Sequence, residues 1–245
     1  MANKPGTFCW VELGTSDDAA AKKFYTDLFG WGTNENDMGE MGTYYIFTKN
    51  GKEAAAMYRL GANMPMPPHW MPYVAVTSAD ETAAKAKSMG AELNGPFDVF
   101  DMGRMAVIKD PQGAHLAVWE EKKHAGIEVR DEPNAFCWGE LHAQDLDAAK
   151  AFYPSLFGWR LKDSPDYTEW HLGEQAVGGM IRAHGPGTYW MPYFAVDDCD
   201  AMTSKAKAAG ATVYVGPQDI EKVGRFSVLA DPQGAVFALI KLDMP

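Results

Sequence analysis

The sequence predicts an α+β protein of four strand–helix–strand–strand–strand modules, two in each half of the chain. Three observations carry this. The stretch from Phe8 to Trp31, FCWVELGTSDDAAAKKFYTDLFGW, returns from Phe136 to Trp159 as FCWGELHAQDLDAAKAFYPSLFGW. Trp10 and Trp138, Glu12 and Glu140, and Phe24 and Phe152 are each 128 residues apart, and an internal repeat of this length outranks any single motif. Trp-Met-Pro-Tyr recurs at 70–73 and 190–193, opening a second module in each half. Asp-Pro-Gln-Gly recurs at 110–113 and 231–234, where Asp, Pro and Gly occupy the positions a type I turn asks for.

Within the first module, Phe8, Trp10 and Glu12 alternate with Cys9, Val11 and Leu13, which reads as a strand. Ser16 or Asp17 is placed to cap the following helix. Ala21, Phe24, Tyr25 and Leu28 form one apolar stripe on it, and Gly30 supplies the stop. A Gly- and Asn-rich stretch, 32–42, leads to strands at 44–48 and 53–58. The turn between them, Asn50-Gly51, is a hairpin signal. The second half repeats the pair at 167–172 and 176–181, with Met57 and Met180 123 residues apart. The connector 61–68, rich in proline, reads as loop, and its counterpart 184–188 is shorter. After each Trp-Met-Pro-Tyr come a strand, an Ala/Lys-rich helix ending near Gly90 or Gly210, and two strands joined by Asp-Pro-Gln-Gly. The segment 121–134 is charged and aperiodic, so the expected division is a first domain over 1–120, a linker over 121–134 and a second domain over 135–245.

The composition narrows the partners. Apolar residues make up 47% of the 245, enough for a packed core. A net charge of −11, with no basic patch interleaved with aromatics, excludes nucleic acid and anionic membrane as expected partners. No apolar run reaches spanning length, and the start MANKPGTFCW lacks a secretory pattern, so a cytoplasmic location is expected. Cys9, Cys137 and Cys199 have no zinc-like spacing and read as free buried thiols. No nucleophile elbow, phosphate-binding loop or dinucleotide fingerprint is present.

Asp17 with Phe24-Tyr25 and Phe29-Gly30-Trp31, and DPQG before the last strand of each half, resemble the vicinal-oxygen-chelate superfamily, which includes glyoxalase I, bleomycin-resistance proteins and extradiol dioxygenases. The resemblance spans nearly the whole chain. It implies that the modules pair into two tandem domains whose mixed sheets curl into cups, each with a site inside, like a fused dimer. A monomer of that pseudo-dimeric kind, or a homodimer of it, is expected. Metal-dependent relatives hold a divalent ion on the cup floor with His and Glu. The corresponding positions here are Trp10 and Trp138, Ala117 and Ala238, and about Met71 and Met191. Indole, methyl and thioether groups are not ligands for such an ion. The expectation is therefore a small-molecule binder related to the bleomycin-resistance group, with no obligatory metal.

What remains on the cup face sets the candidate site. Glu12 and Glu140 lie two residues past the lost ligand positions and are the candidate acid/base residues. The bland alternative pairs them with Arg104 and Arg225, which also repeat. Trp10, Trp70, Tyr73, His115, Trp119, Trp138, His142, Trp190 and Tyr193 are the candidate ligand-binding residues, although large aromatics also build cores. Met64, Met66 and Met71 suggest an adaptable lid. The rival reading is a metal-dependent lyase, isomerase or dioxygenase holding Zn, Ni, Mn or Fe through Glu140 and His142, or through Glu12, His69 and His115. His124, His171 and His184 read as linker or surface residues. A third reading is a partner-binding protein whose cups are filled by side chains.

Overall fold

The computed structural model describes residues 3–61 and 66–243. Its strands form two mixed eight-stranded sheets, one from each half of the chain. The first module comprises β1 (Phe8–Thr15), α1 (Asp18–Phe29), β2 (Gly32–Asp37), β3 (Thr43–Lys49) and β4 (Lys52–Arg59). The second comprises β5 (His69–Ala75), α2 (Ala79–Ser88), β6 (Glu92–Val99), β7 (Gly103–Lys109) and β8 (His115–Glu121). The second half repeats both with β9 (Ala135–Ala143), α3 (Leu146–Phe157), β10 (Arg160–Asp163), β11 (Thr168–Leu172) and β12 (Gln175–Arg182), then β13 (Tyr189–Ala195), α4 (Cys199–Ala208), β14 (Thr212–Ile220), β15 (Gly224–Ala230) and β16 (Val236–Leu242). Strand order is β2-β3-β4-β1-β5-β8-β7-β6 in one sheet and β10-β11-β12-β9-β13-β16-β15-β14 in the other. The first strand of each module runs parallel to its last, as in β1 with β4 and β5 with β8.

The local signals act as expected. Asp17 caps α1, its side chain accepting from the Ala20 amide at 3.0 Å, and Gly30 ends the helix at φ 70. Asn50 and Gly51 both take positive φ (52 and 78), which suits a two-residue hairpin. The polar stretch after α1, for which the sequence offered no strand pattern, supplies the second strand of the module. Gly32–Asp37 is a strand, paired antiparallel with β3. It lies at the sheet edge and is largely exposed, so it needs no apolar face to form.

The chain divides by contact into two compact units that do not follow the halves. One comprises Met1–Trp10, Met71–Gly126 and Trp138–Met191, and the other Val11–Trp70, Ile127–Cys137 and Pro192–Pro245. Each unit therefore takes most of one module from each half. In the unit that holds α1, the Tyr25 hydroxyl donates to Asp231 Oδ2 at 2.9 Å and accepts from Trp70 Nε1 at 3.0 Å. In the other unit, the Tyr153 hydroxyl donates to Asp110 Oδ2 at 2.8 Å and accepts from Trp190 Nε1 at 3.1 Å. These six residues form three repeat-equivalent pairs, and each aspartate belongs to an Asp-Pro-Gln-Gly turn. Its other oxygen, Oδ1, holds the turn amides.

Trp70 and Trp190 are thereby assigned to the aromatic core beside the helices, not to a ligand surface. Trp70 also packs on Phe194 at 5.2 Å, and Trp190 on Phe8 at 5.4 Å. Their indole nitrogens need a buried acceptor, and only the helix tyrosines supply it. The segment 122–134 has neither helix nor strand, yet Ile127 and Val129 are buried, and the Glu128 amide donates to Glu53 O at 2.8 Å.

Candidate functional site

The second half brings a charged cluster together on β9. Glu140 and His142, two residues apart on one strand face, are 5% and 7% exposed. Glu140 Oε1 lies 3.0 Å from His142 Nε2, and Nε2 has no aligned hydrogen bond. Tyr189, the first residue of β13, stacks on the imidazole at 4.7 Å and 10°, with its hydroxyl 3.3 Å from Nδ1. Tyr167 closes the other side. Its hydroxyl accepts from Trp138 Nε1 at 2.8 Å and is hydrogen-bonded to Glu140. Burial first, and then the Glu140 charge, push the Tyr167 phenol well above its ordinary range and raise that of Tyr189. Both therefore stay protonated donors at neutral pH. Tyr167 reaches its place because residue 179 is glycine. A β-carbon there would lie 1.9 Å from the phenol oxygen. Trp138 is half-buried.

The first half repeats the carboxylate and the phenol. Glu12, 9% exposed, accepts from the Tyr44 hydroxyl at 2.7 Å. Parallel pairing of β1 with β4 sets Gly14 beside Tyr58. Burial and the Glu12 charge raise the Tyr58 phenol. Tyr44 and Tyr167 were absent from the sequence-derived site. Their signal was available, since they are 123 residues apart, the same interval as Met57 and Met180.

Several expected placements change. Arg104 and Arg225 do not hold Glu12 and Glu140. Arg104 binds Asp80 through Nε at 2.5 Å and Nη2 at 2.9 Å, and Arg225 binds Asp200 in the same way. Both arginines are drawn to acidic residues in the first turn of a helix, α2 or α4. Trp10 and Trp119 are buried and do not line an open floor. The His124 ring meets Trp10 edge-on at 4.9 Å and Trp119 at 6.0 Å, and Trp119 Nε1 donates to His124 O at 2.8 Å. His124 is thus a packing residue rather than a surface one, and His171 is half-buried against Glu169 at 2.8 Å. His115 stands opposite Lys109 at the start of β8, its imidazole lowered by burial and then by the Lys109 charge. Tyr73 and Tyr193 are buried in register with Ala117 and Ala238. Met71 is a buried strand residue rather than part of a lid, Met66 is half-buried, and Met64 lies outside the described residues.

Two hollows, of about 190 and 380 Å³, are lined by Pro5, Ala75, Ser78 and Phe157, and by Arg160, Lys162, His171 and Glu174. Neither includes Glu12, Glu140, Trp10 or Trp138. Among the described residues no three or more His, Cys, Asp or Glu side chains gather as a metal site. Glu140 and His142 together offer two donors, and the positions implied by the family resemblance offer indole, methyl and thioether. This donor set does not fit a divalent ion held in the family's usual manner.

Paired modules of this order, each with its first strand parallel to its last, define a class of proteins built by duplicating one βαβββ unit. The chain belongs to the Glyoxalase/Bleomycin resistance protein/Dioxygenase superfamily, whose family model matches residues 7–118, and a glyoxalase-like domain model matches 139–240. It is 41% identical over 97% of its length to CFP32 of Mycobacterium tuberculosis (strain CDC 1551 / Oshkosh), which carries a provisional glyoxylase name, and covers 95% of that protein. It is 36% identical, again over 97% of its length, to the anthracycline biosynthesis protein DnrV of Streptomyces peucetius, covering 94% of it. In fold it is similar to the Mn(II)-bound glyoxalase of Novosphingobium aromaticivorans (TM-score 0.69, 17% identity, 97% of this chain and 82% of that one). It is also similar to homoprotocatechuate 2,3-dioxygenase of Brevibacterium fuscum (TM-score 0.70, 16% identity, 99% and 82%).

Proposed function

We propose that this glyoxalase-like protein binds a small, planar organic molecule at Trp138, beside Glu140, His142 and Tyr167, without the metal ligands usual in its family. The observation that carries this reading is the buried Glu140–His142 contact at 3.0 Å beside a half-buried indole. A planar ligand stacks on the indole. Tyr167 holds Glu140 in place with its single O–H, and Glu140 stabilises a positive charge on the ligand. A carboxylate and an imidazole in contact can pass a proton, so acid–base chemistry without a metal is within reach of the same residues. The resemblance to anthracycline biosynthesis proteins supports an aromatic, polycyclic ligand. Three free, buried cysteines fit a reducing compartment.

The test is a tryptophan-fluorescence titration with a hydroxylated anthraquinone. Saturable quenching in the micromolar range is expected, with Trp138→Ala weakening it at least about tenfold, as loss of a stacking anchor does. Absence of quenching across a panel of planar aromatics, or a Trp138→Ala protein that binds unchanged, would overturn it. The second reading, a metal-dependent lyase, isomerase or dioxygenase, draws on the same Glu140–His142 contact. Turnover lost with chelator and with His142→Ala, together with stoichiometric metal in freshly purified protein, would establish it instead.

A further inference from the structure

The two halves differ at two positions that touch each other. Residue 14 is glycine in the first half, and its counterpart 142 is histidine. Residue 69, just before Trp-Met-Pro-Tyr, is histidine in the first half, and its counterpart 189 is tyrosine. In the second half the ring of residue 189 lies on that of residue 142, stacked at 4.7 Å. In the first half the His69 ring lies on residue 14. Its Cε1 is 3.0 Å from where a β-carbon on Gly14 would sit, with Tyr58 Oη at 3.2 Å and Leu60 Cδ2 at 3.0 Å. The same contact is made in both halves, and the imidazole has changed sides of it.

We propose that the first half holds a second binding site of the same composition, carboxylate, imidazole and phenol, in which His69 delivers from β5 the imidazole that the second half takes from β9. Glu12 and Tyr44 supply the other two groups, joined at 2.7 Å as Glu140 is joined to Tyr167. All members fall within residues 11–70, a single compact unit. The imidazole crowds the side-chain space of Gly14, so a β-carbon there would make it shift. His69 Nδ1 lies 2.8 Å from Pro67 O. A carbonyl only accepts, so Nδ1 carries the proton of the neutral ring and Nε2, a buried atom, presents the lone pair. His69 covers Gly14, which lies two residues along β1 from Glu12, as His142 lies two residues along β9 from Glu140. The Tyr58 phenol meets the same Gly14 position. The ligand class, a small planar molecule, rests on the reading of the second half given above.

Two measurements test this. The first needs no ligand: ring-labelled histidine NMR titrations of the wild type, Glu12→Gln and Glu140→Gln. A facing carboxylate favours imidazolium. Glu12→Gln is therefore expected to move the His69 titration to lower pH, and Glu140→Gln to leave it in place. A His69 titration indifferent to Glu12→Gln would overturn the proposal. The second is stoichiometry with a hydroxylated anthraquinone by calorimetry. Two equivalents are expected for the wild type, one for His69→Ala, and two again for Gly14→His/His69→Tyr, which copies the second half. One equivalent in the wild type, unaffected by His69→Ala, would also overturn it. No binding by the wild type at all would sink the ligand reading, and the NMR result would still decide whether the second trio exists.

Discussion

Tyrosines of this chain do two kinds of work at the residue scale. Tyr25 and Tyr153 are fully buried hydroxyls that tie a helix to an Asp-Pro-Gln-Gly aspartate and to an indole. Removing either hydroxyl strips an acceptor from the indole and a donor from the carboxylate. Tyr25→Phe and Tyr153→Phe are each expected to cost about 1–3 kcal/mol in urea unfolding, as orphaned buried polar groups do. Tyr167 instead serves the site, and it does so through a neighbour that has no side chain. Gly179→Ala places a methyl 1.9 Å from the phenol oxygen and must push Tyr167 off Glu140. Anthraquinone affinity is expected to fall about tenfold or more, with circular dichroism unchanged. The sequence marked Glu140 and His142 because two polar groups on a cup-facing strand are conspicuous. It did not mark Gly179, since a glycine gives no chemical hint of whose ring it admits.

Elements in this chain are specified locally, and two repeated charged contacts lie at helix starts. Asp80 and Asp200 sit in the first turns of α2 and α4 and are held below the usual carboxylate range, chiefly by hydrogen bonds from Arg104 and Arg225. A carboxyl lowered in the folded state contributes stability above its unfolded value, about 3.9, and loses it as pH falls through the lowered one. The wild type is therefore expected to lose stability between about pH 4 and pH 2 more steeply than Arg104→Ala, measured by thermal unfolding over that range. At pH 7 the difference is expected to be small, because these pairs are exposed. The edge strands β2 and β10 show where local reading stops. Both are polar and exposed, so their pairing with β3 and β11 leaves no apolar alternation to read.

Hydrogen bonding and packing sort the whole molecule differently. Strands follow the halves, whereas the cores of the compact units mix them: α1 is anchored by Asp231 and packs on Phe237, and α3 is anchored by Asp110. Each half alone leaves its first helix without that aspartate. Residues 1–126 and 127–245, expressed separately, are each expected to lack a cooperative thermal transition, and mixing them is expected to restore one. A stable, monomeric fragment 1–126 would contradict the packing described here.

The repeat, the four helices, the cap of the first, the turns and the superfamily were legible without coordinates, because each depends on spacing along the chain and on backbone chemistry that neighbours dictate. The carboxylates at 12 and 140 were legible for the same reason. Tertiary structure alone decided that Trp70 and Trp190 belong to the core, that His124 covers Trp10 and Trp119, and that Arg104 and Arg225 serve helix termini. It alone set His69 over Gly14. A side chain's role at such places depends on which distant strand or helix comes to face it, and that pairing is chosen by the burial of the whole core rather than by any local run of residues.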